Sequence, residues 1–128
     1  MNKNANNPRF RSFAHAWNGI RIMIKEESNV RIHLLLGMVA TALGFLLNIE
    51  PYEWLSLLLT IGLVLVTEAV NTALERLADH VTPETHPQIK TVKDLAAGAV
   101  LIGAIIAVCV GLIIFGEKIV DLLFSHST

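Results

Sequence analysis

The feature that most restricts this chain is a run without any charged side chain from Leu95 to Gly116. That run alone meets the roughly 20 apolar residues a helix needs to cross a bilayer. Two more charge-free runs precede it, Leu34–Ile49 and Trp54–Thr67. The first lengthens if Val30 and Ile32 join it. The second reaches spanning length only if its helix continues through Glu68 and Glu75. Backbone in lipid must satisfy its own hydrogen bonds, so an all-α integral membrane fold is expected. Composition points the same way. With 53% of residues hydrophobic, 16% charged and a mean hydropathy of +0.56, the chain is too apolar for an ordinary small soluble domain. We expect one membrane domain over residues 1–128, with a surface helix over 9–26 and spans over 30–49, 54–79 and 93–116.

Charge placement predicts the topology. Residues 1–33 hold Lys3, Arg9, Arg11, Arg21, Lys25 and Arg31. The 76–93 segment holds Arg76, Lys90 and Lys93, whereas the loop at 50–53 holds Glu50 and Glu53 and no base. By the positive-inside rule the N-terminus and the 76–93 loop face the cytoplasm. The basic N-terminal segment has no cleavable apolar core, so a signal peptide is not expected. Residues 1–8 are polar and read as disordered. From Arg9 onward, Phe10, Phe13, Trp17, Ile20 and Ile24 recur every three or four residues, with Arg11, Asn18, Arg21 and Lys25 on other faces. Such a helix lies in the membrane interface, its aromatics in the acyl boundary. Tyr52 and Trp54 read as interfacial anchors. Thr82-Pro83-Glu84 and His86-Pro87 break the second helix. Gly116 and Glu117 mark the end of the third span, beyond which the tail extends the helix or lies along the outer interface. Cys109, the single cysteine, reads as packing. The small residues Ala96, Ala97, Gly98, Ala99, Gly103, Ala104, Ala107 and Gly111 allow close helix approach.

The second span carries the chemistry. Glu68, Asn71, Glu75 and Asp79 fall within roughly 80° of one another around the helix. An ionisable group at a bilayer boundary is a functional-site candidate by default. Glu68 follows an uncharged run and is the most deeply placed acid. It is either a protonated carboxyl bonded between helices or a general base for a substrate that lives in the membrane. Asn71 offers a donor and an acceptor that can orient Glu68 or polarise a substrate oxygen. Glu75 and Glu27 lie at matching cytoplasmic edges of two helices and can share a magnesium ion, which commonly takes one or two protein carboxylates. Asp79 adds a further contact or is an ordinary solvated boundary charge. Lys93 meets a phosphate as a point charge or serves only topology, and Asp94 sits beside it. His80 and His86 do not form a metal site by spacing. No glycine-rich phosphate loop, kinase loop set or nucleophile elbow is present.

Residues Glu68 to Asp79 read EAVNTALERLAD. This resembles the pattern E-x-x-N-[ST]-A-[IL]-E-x-x-x-D of the small prokaryotic diacylglycerol kinase and undecaprenol kinase family. Glu27 with Arg31, and KDLAAGAV from Lys93, fit the same family, and the likeness runs from about Phe10 to Phe115. The resemblance implies transfer of the γ-phosphoryl group of Mg-ATP to the primary hydroxyl of a membrane lipid. It also implies a surface helix plus three spans in a homotrimer, with active sites shared between subunits at the cytoplasmic face of the bacterial plasma membrane. By motif match Glu68 is the base, Glu27 and Glu75 hold the metal, and Lys93, Asp94, Asp79 and His86 belong to the nucleotide region, with Glu84 near it. Ala97 stands where the diacylglycerol-using branch usually has serine, and the segments after His86 look closer to the Gram-positive, undecaprenol-using branch. Undecaprenol is therefore the expected acceptor and diacylglycerol the alternative. An ion or proton pathway is disfavoured because Trp54–Thr67 offers only Ser56, Thr60 and Thr67 as polar groups. A purely structural subunit leaves the acidic stripe without a purpose.

Overall fold

The computed structural model has four helices: α1 (Pro8–Glu26), α2 (Ser28–Leu46), α3 (Pro51–Val81) and α4 (Pro87–Ser125). It describes residues 8–81 and 86–125, without the side chains of residues 8–10, 123 and 125. The polar segment 1–7, the Phe10 side chain and the expected break at Thr82-Pro83-Glu84 lie outside what is described. The stretches Ser28–Leu46, Pro51–Val81 and Pro87–Leu122 are long and apolar enough to cross a membrane. α3, with 31 residues, is about 46 Å long.

Local chemistry sets each helix end. A single extended residue, Glu27, with φ −98° and ψ 116°, separates α1 from α2. Arg31 Nη1 donates to the Lys25 carbonyl at 2.8 Å and to the Ile24 carbonyl at 3.4 Å, covering the last carbonyls of α1. α2 closes with Asn48 at φ 47°, a left-handed conformation that asparagine tolerates better than most residues. The Ile49 N–H donates to the Gly44 carbonyl at 3.1 Å and the Asn48 N–H to the Phe45 carbonyl at 3.4 Å, a Schellman closure. Pro51 then opens α3, where its missing N–H costs nothing. Glu53 reaches back to accept the Glu50 N–H at 2.7 Å, half of a capping box. Pro87 opens α4 in the same way.

α3 is the central helix, packed along α4 and against α2. Gly103 lets α4 come close: a Cβ there would stand 3.3 Å from Thr67 Oγ1. Gly37 does the same for α2 beside Ile61. Gly44 is more constrained, since a Cβ would meet Trp54 Cη2 at 2.8 Å and Ile49 Cδ1 at 3.0 Å. Ile49, Leu57, Ile114 and Phe115 form a buried cluster near the Pro51 end, and Lys118 pairs with Glu53 there at 3.1 Å. The hydroxyls of Thr41, Ser56, Thr60 and Thr67 each donate to a carbonyl one turn back, so none is left unsatisfied in an apolar run.

Several boundaries depart from expectation. The span expected over 30–49 starts at Ser28 and ends at Leu46, because the left-handed Asn48 turns the chain. The span expected over 54–79 is longer at both ends. The span expected over 93–116 begins at Pro87, which starts a helix here, and runs through Gly116 to Ser125. A lone glycine is tolerated inside a helix when apolar residues continue on both sides, as Ile119, Val120 and Leu122 do. Trp54 is half-buried and packs on Phe45 with ring centroids 4.7 Å apart, so it joins α3 to α2. Cys109 is exposed, as are Phe13, Trp17, Ile20 and Ile24 of α1, whose apolar stripe the other described residues leave largely uncovered. Of the small residues of α4, Gly98 and Gly111 have nothing close, and Gly103 makes the tight contact.

Candidate active site

The α3 stripe passes from interior to surface over about 16 Å. Glu68 is 3% exposed, Asn71 and Glu75 are half-buried, and the Asp79 side chain is 68% exposed. Glu68 sits one turn from buried Val64 and Thr72, on the face that α2 and α4 cover. Its Oε1 lies 3.1 Å from Nε2 of His33 on α2. The two atoms are close but the imidazole is not aimed along a hydrogen bond, and Oε1 is left without a donor. Oδ1 of Asn71, one turn on, is likewise buried without a donor. Two buried acceptors in this condition cost about 1–3 kcal/mol each. A small turn of the His33 ring could relieve that cost at Oε1, and a polar molecule entering between the helices could relieve it at Asn71.

The wet end of the stripe is organised by ion pairs. Arg76 Nη2 reaches Glu26 Oε2 at 2.8 Å and Glu27 Oε1 at 3.5 Å, tying the α1–α2 junction to the level of α3 just beyond Glu75. Glu75 has no cation within 4 Å among the described residues. Lys93 Nζ crosses from α4 to Asp79 Oδ1 at 2.7 Å, and Lys90 Nζ pairs with Asp94 Oδ2 at 2.6 Å. Asp94 therefore points along its own helix, while Lys93 joins the stripe. His86 is exposed and precedes α4, where its Nδ1 accepts the Gln88 N–H at 3.3 Å and its carbonyl accepts the Lys90 N–H at 3.0 Å. It acts as the N-terminal cap of that helix. Glu84 lies outside the described residues.

Among the described residues no three His, Cys, Asp or Glu side chains converge on a protein-only metal cage. Glu27 is paired with Arg76, the residue after Glu75, and Glu75 itself is free of ion pairs among the described residues; carboxylates of this kind are hard oxygen donors. That suits a hard cation completed by phosphate oxygens and water.

Sequence reasoning missed two residues here. His33 stands just before a charge-free run, and an ionisable side chain at that position is itself a signal. Arg76 was read for topology alone, whereas it links α3 to both glutamates at the helix break.

Three helices long and apolar enough to cross a bilayer, much of whose surface the described residues leave uncovered, define a multi-pass membrane protein. The chain belongs to the prokaryotic diacylglycerol kinase family, whose profile matches residues 14–115. It is 38% identical over 117 residues to the undecaprenol kinase of Bacillus subtilis, covering 91% of this chain and 95% of that protein. It is 40% identical over 101 residues to a diacylglycerol kinase of Synechocystis, with 78% of this chain covered but only 58% of that protein's length. A Helicobacter pylori diacylglycerol kinase is 32% identical over 96 residues, 75% of each chain. The resemblance read from residues 68–79 is borne out.

Proposed function

We propose that this protein is an ATP-dependent lipid kinase that phosphorylates the primary hydroxyl of undecaprenol. The observation that carries the reading is Glu68: a carboxylate 3% exposed, with a donor-free oxygen, on a stripe that runs out to exposed Asp79. Likeness to the B. subtilis undecaprenol kinase over nearly its full length favours that acceptor, and likeness to diacylglycerol kinases keeps diacylglycerol as the alternative.

The lengths agree with this role. An upright helix starting at the outer interface with Pro51 would leave about 30 Å of hydrocarbon near Asn71. Glu68 then lies just inside the apolar phase, and Glu75 and Asp79 lie in the polar one. The lipid hydroxyl approaches Glu68 from the bilayer, with Asn71 orienting it. Its oxygen bonds to the γ-phosphorus of ATP as the bond from that phosphorus to the β-γ bridging oxygen breaks. The hydroxyl proton passes to Glu68 and ADP leaves. Catalysis of this kind is mostly positioning and charge stabilisation. Glu27 and Glu75 would hold magnesium, which neutralises phosphate charge when bound. Lys93, positioned by Asp79, meets the phosphates, with Asp94 and His86 bordering the nucleotide.

Orientation and assembly belong to the same proposal. The basic N-terminus and the 76–93 loop face the cytoplasm, where ATP is, in the bacterial plasma membrane. α1 rests its uncovered stripe of Phe13, Trp17, Ile20 and Ile24 in the lipid interface. A homotrimer covers part of the apolar surface that each chain leaves open. The test is a purified protein given γ-labelled ATP and magnesium with undecaprenol and diacylglycerol in competition. Label is expected mainly in undecaprenyl phosphate. Label mainly in phosphatidic acid would reverse the acceptor, and label in neither lipid would end the kinase reading.

A further inference from the structure

We infer that His33 is a positioning residue that holds the Glu68 carboxylate for the incoming lipid hydroxyl. The inference rests on the reading of Glu68 as the base. Nε2 of His33 is 3.1 Å from Glu68 Oε1, and no Lys or Arg side chain lies within 4 Å of that carboxylate among the described residues. A carboxylate as buried as Glu68 needs a polar neighbour to stay in one orientation, because desolvation makes every misdirected rotamer costly. His33 is the side chain placed to supply it.

The backbone around His33 fixes its register. Val30, one turn earlier on the same face of α2, is fully buried, and Gly37, one turn later, abuts Ile61 of α3. The imidazole therefore cannot drift along α3 without unpacking both contacts. His33 is 21% exposed and lines a cavity of about 350 Å³ between α2, α3 and α4, whose other walls include Leu36, Thr60, Val64 and Ala107. The named walls carry no charged group, and among the described residues Glu68 is the only acidic side chain within 4 Å of His33. A modest turn of the ring brings an N–H onto Oε1. The carboxylate then keeps its second oxygen for the substrate proton. A misplacement of about 1 Å at a reacting group can cost on the order of 100-fold in rate, which sets the expected size of the effect.

The test compares three variants in the reconstituted full chain, with Glu68→Gln separating the inference from the reading beneath it. His33→Ala is expected to lower kcat on the order of 100-fold, with KM for ATP unchanged. Added imidazole, which can enter through the adjoining cavity, restores a substantial part of the loss. His33→Gln keeps an N–H near the Nε2 position and retains most activity, and it remains informative if the alanine variant does not fold. A packing role alone would give neither imidazole rescue nor a selective fall in kcat. An inactive Glu68→Gln beside fully active His33→Ala and His33→Gln variants would overturn the inference and leave the base reading standing. An active Glu68→Gln would overturn the base reading itself, and with it the inference. A kcat loss in His33→Ala that imidazole does not restore, together with equal loss in His33→Gln, would also overturn the inference.

Discussion

Lys93 of α4 and Asp79 of α3 meet at 2.7 Å, so the exposed end of the acidic stripe holds the lysine that the family resemblance assigns to the nucleotide. Two consecutive helices are thereby fixed at one level. If Asp79 serves to aim Lys93, the two substitutions should act on the same quantity to different degrees. Lys93→Met is expected to raise KM for ATP about tenfold, the worth of one charged hydrogen bond. Asp79→Asn should raise it less, in the same direction. Steady-state kinetics against ATP checks both, and a larger effect for Asp79→Asn than for Lys93→Met would contradict the arrangement.

Glu75 carries a carboxylate free of ion pairs among the described residues, beside an Arg76 committed to Glu26 and Glu27. Glu75→Gln keeps the shape and removes the charge. The expected outcome is a rise in the magnesium concentration needed for half-maximal turnover. An activity titration against magnesium decides it, and an unchanged midpoint would remove Glu75 from the metal site.

The turn between α2 and α3 makes a prediction about stability. A Cβ on Gly44 would sit 2.8 Å from Trp54 Cη2. Gly44→Ala is therefore expected to destabilise the protein by about 1–3 kcal/mol through overpacking. At Asn48, with φ 47°, glycine should be neutral or better, whereas valine should cost about 1 kcal/mol or more because its branched side chain resists the left-handed region. Thermal unfolding in detergent distinguishes these cases. Equal melting temperatures for Asn48→Gly and Asn48→Val would refute the strained turn.

The sequence showed the spans and the stripe because both are local. Charge-free runs announce Leu34–Ile49 and Leu95–Gly116, and 3.6-residue periodicity puts Glu68, Asn71, Glu75 and Asp79 on one face without any tertiary knowledge. What stayed hidden depends on contacts between helices. His33 has no local partner, and its meaning appears only when α2 is laid against Glu68. Lys93 reads in sequence as a phosphate contact or a topological charge, and its pairing with Asp79 appears only when α4 is laid against α3. His86 and Pro87 read as a break in the helix, yet they cap and open α4, because proline is favoured at a first turn and disfavoured only later. Sequence leaves open whether the tail beyond Gly116 extends the helix or lies along the interface; α4 continues to Ser125, and Lys118 of the extension pairs with Glu53 of α3.

The central claim is that Glu68 takes the proton of a membrane alcohol. Its most direct test is the rate of phosphoryl transfer from γ-labelled ATP to undecaprenol by Glu68→Gln, beside the parent protein, with assembly followed by size-exclusion chromatography. Because the substitution is nearly isosteric, assembly should be preserved while transfer falls by at least about 100-fold. Transfer at the parental rate in a properly assembled variant would contradict the account.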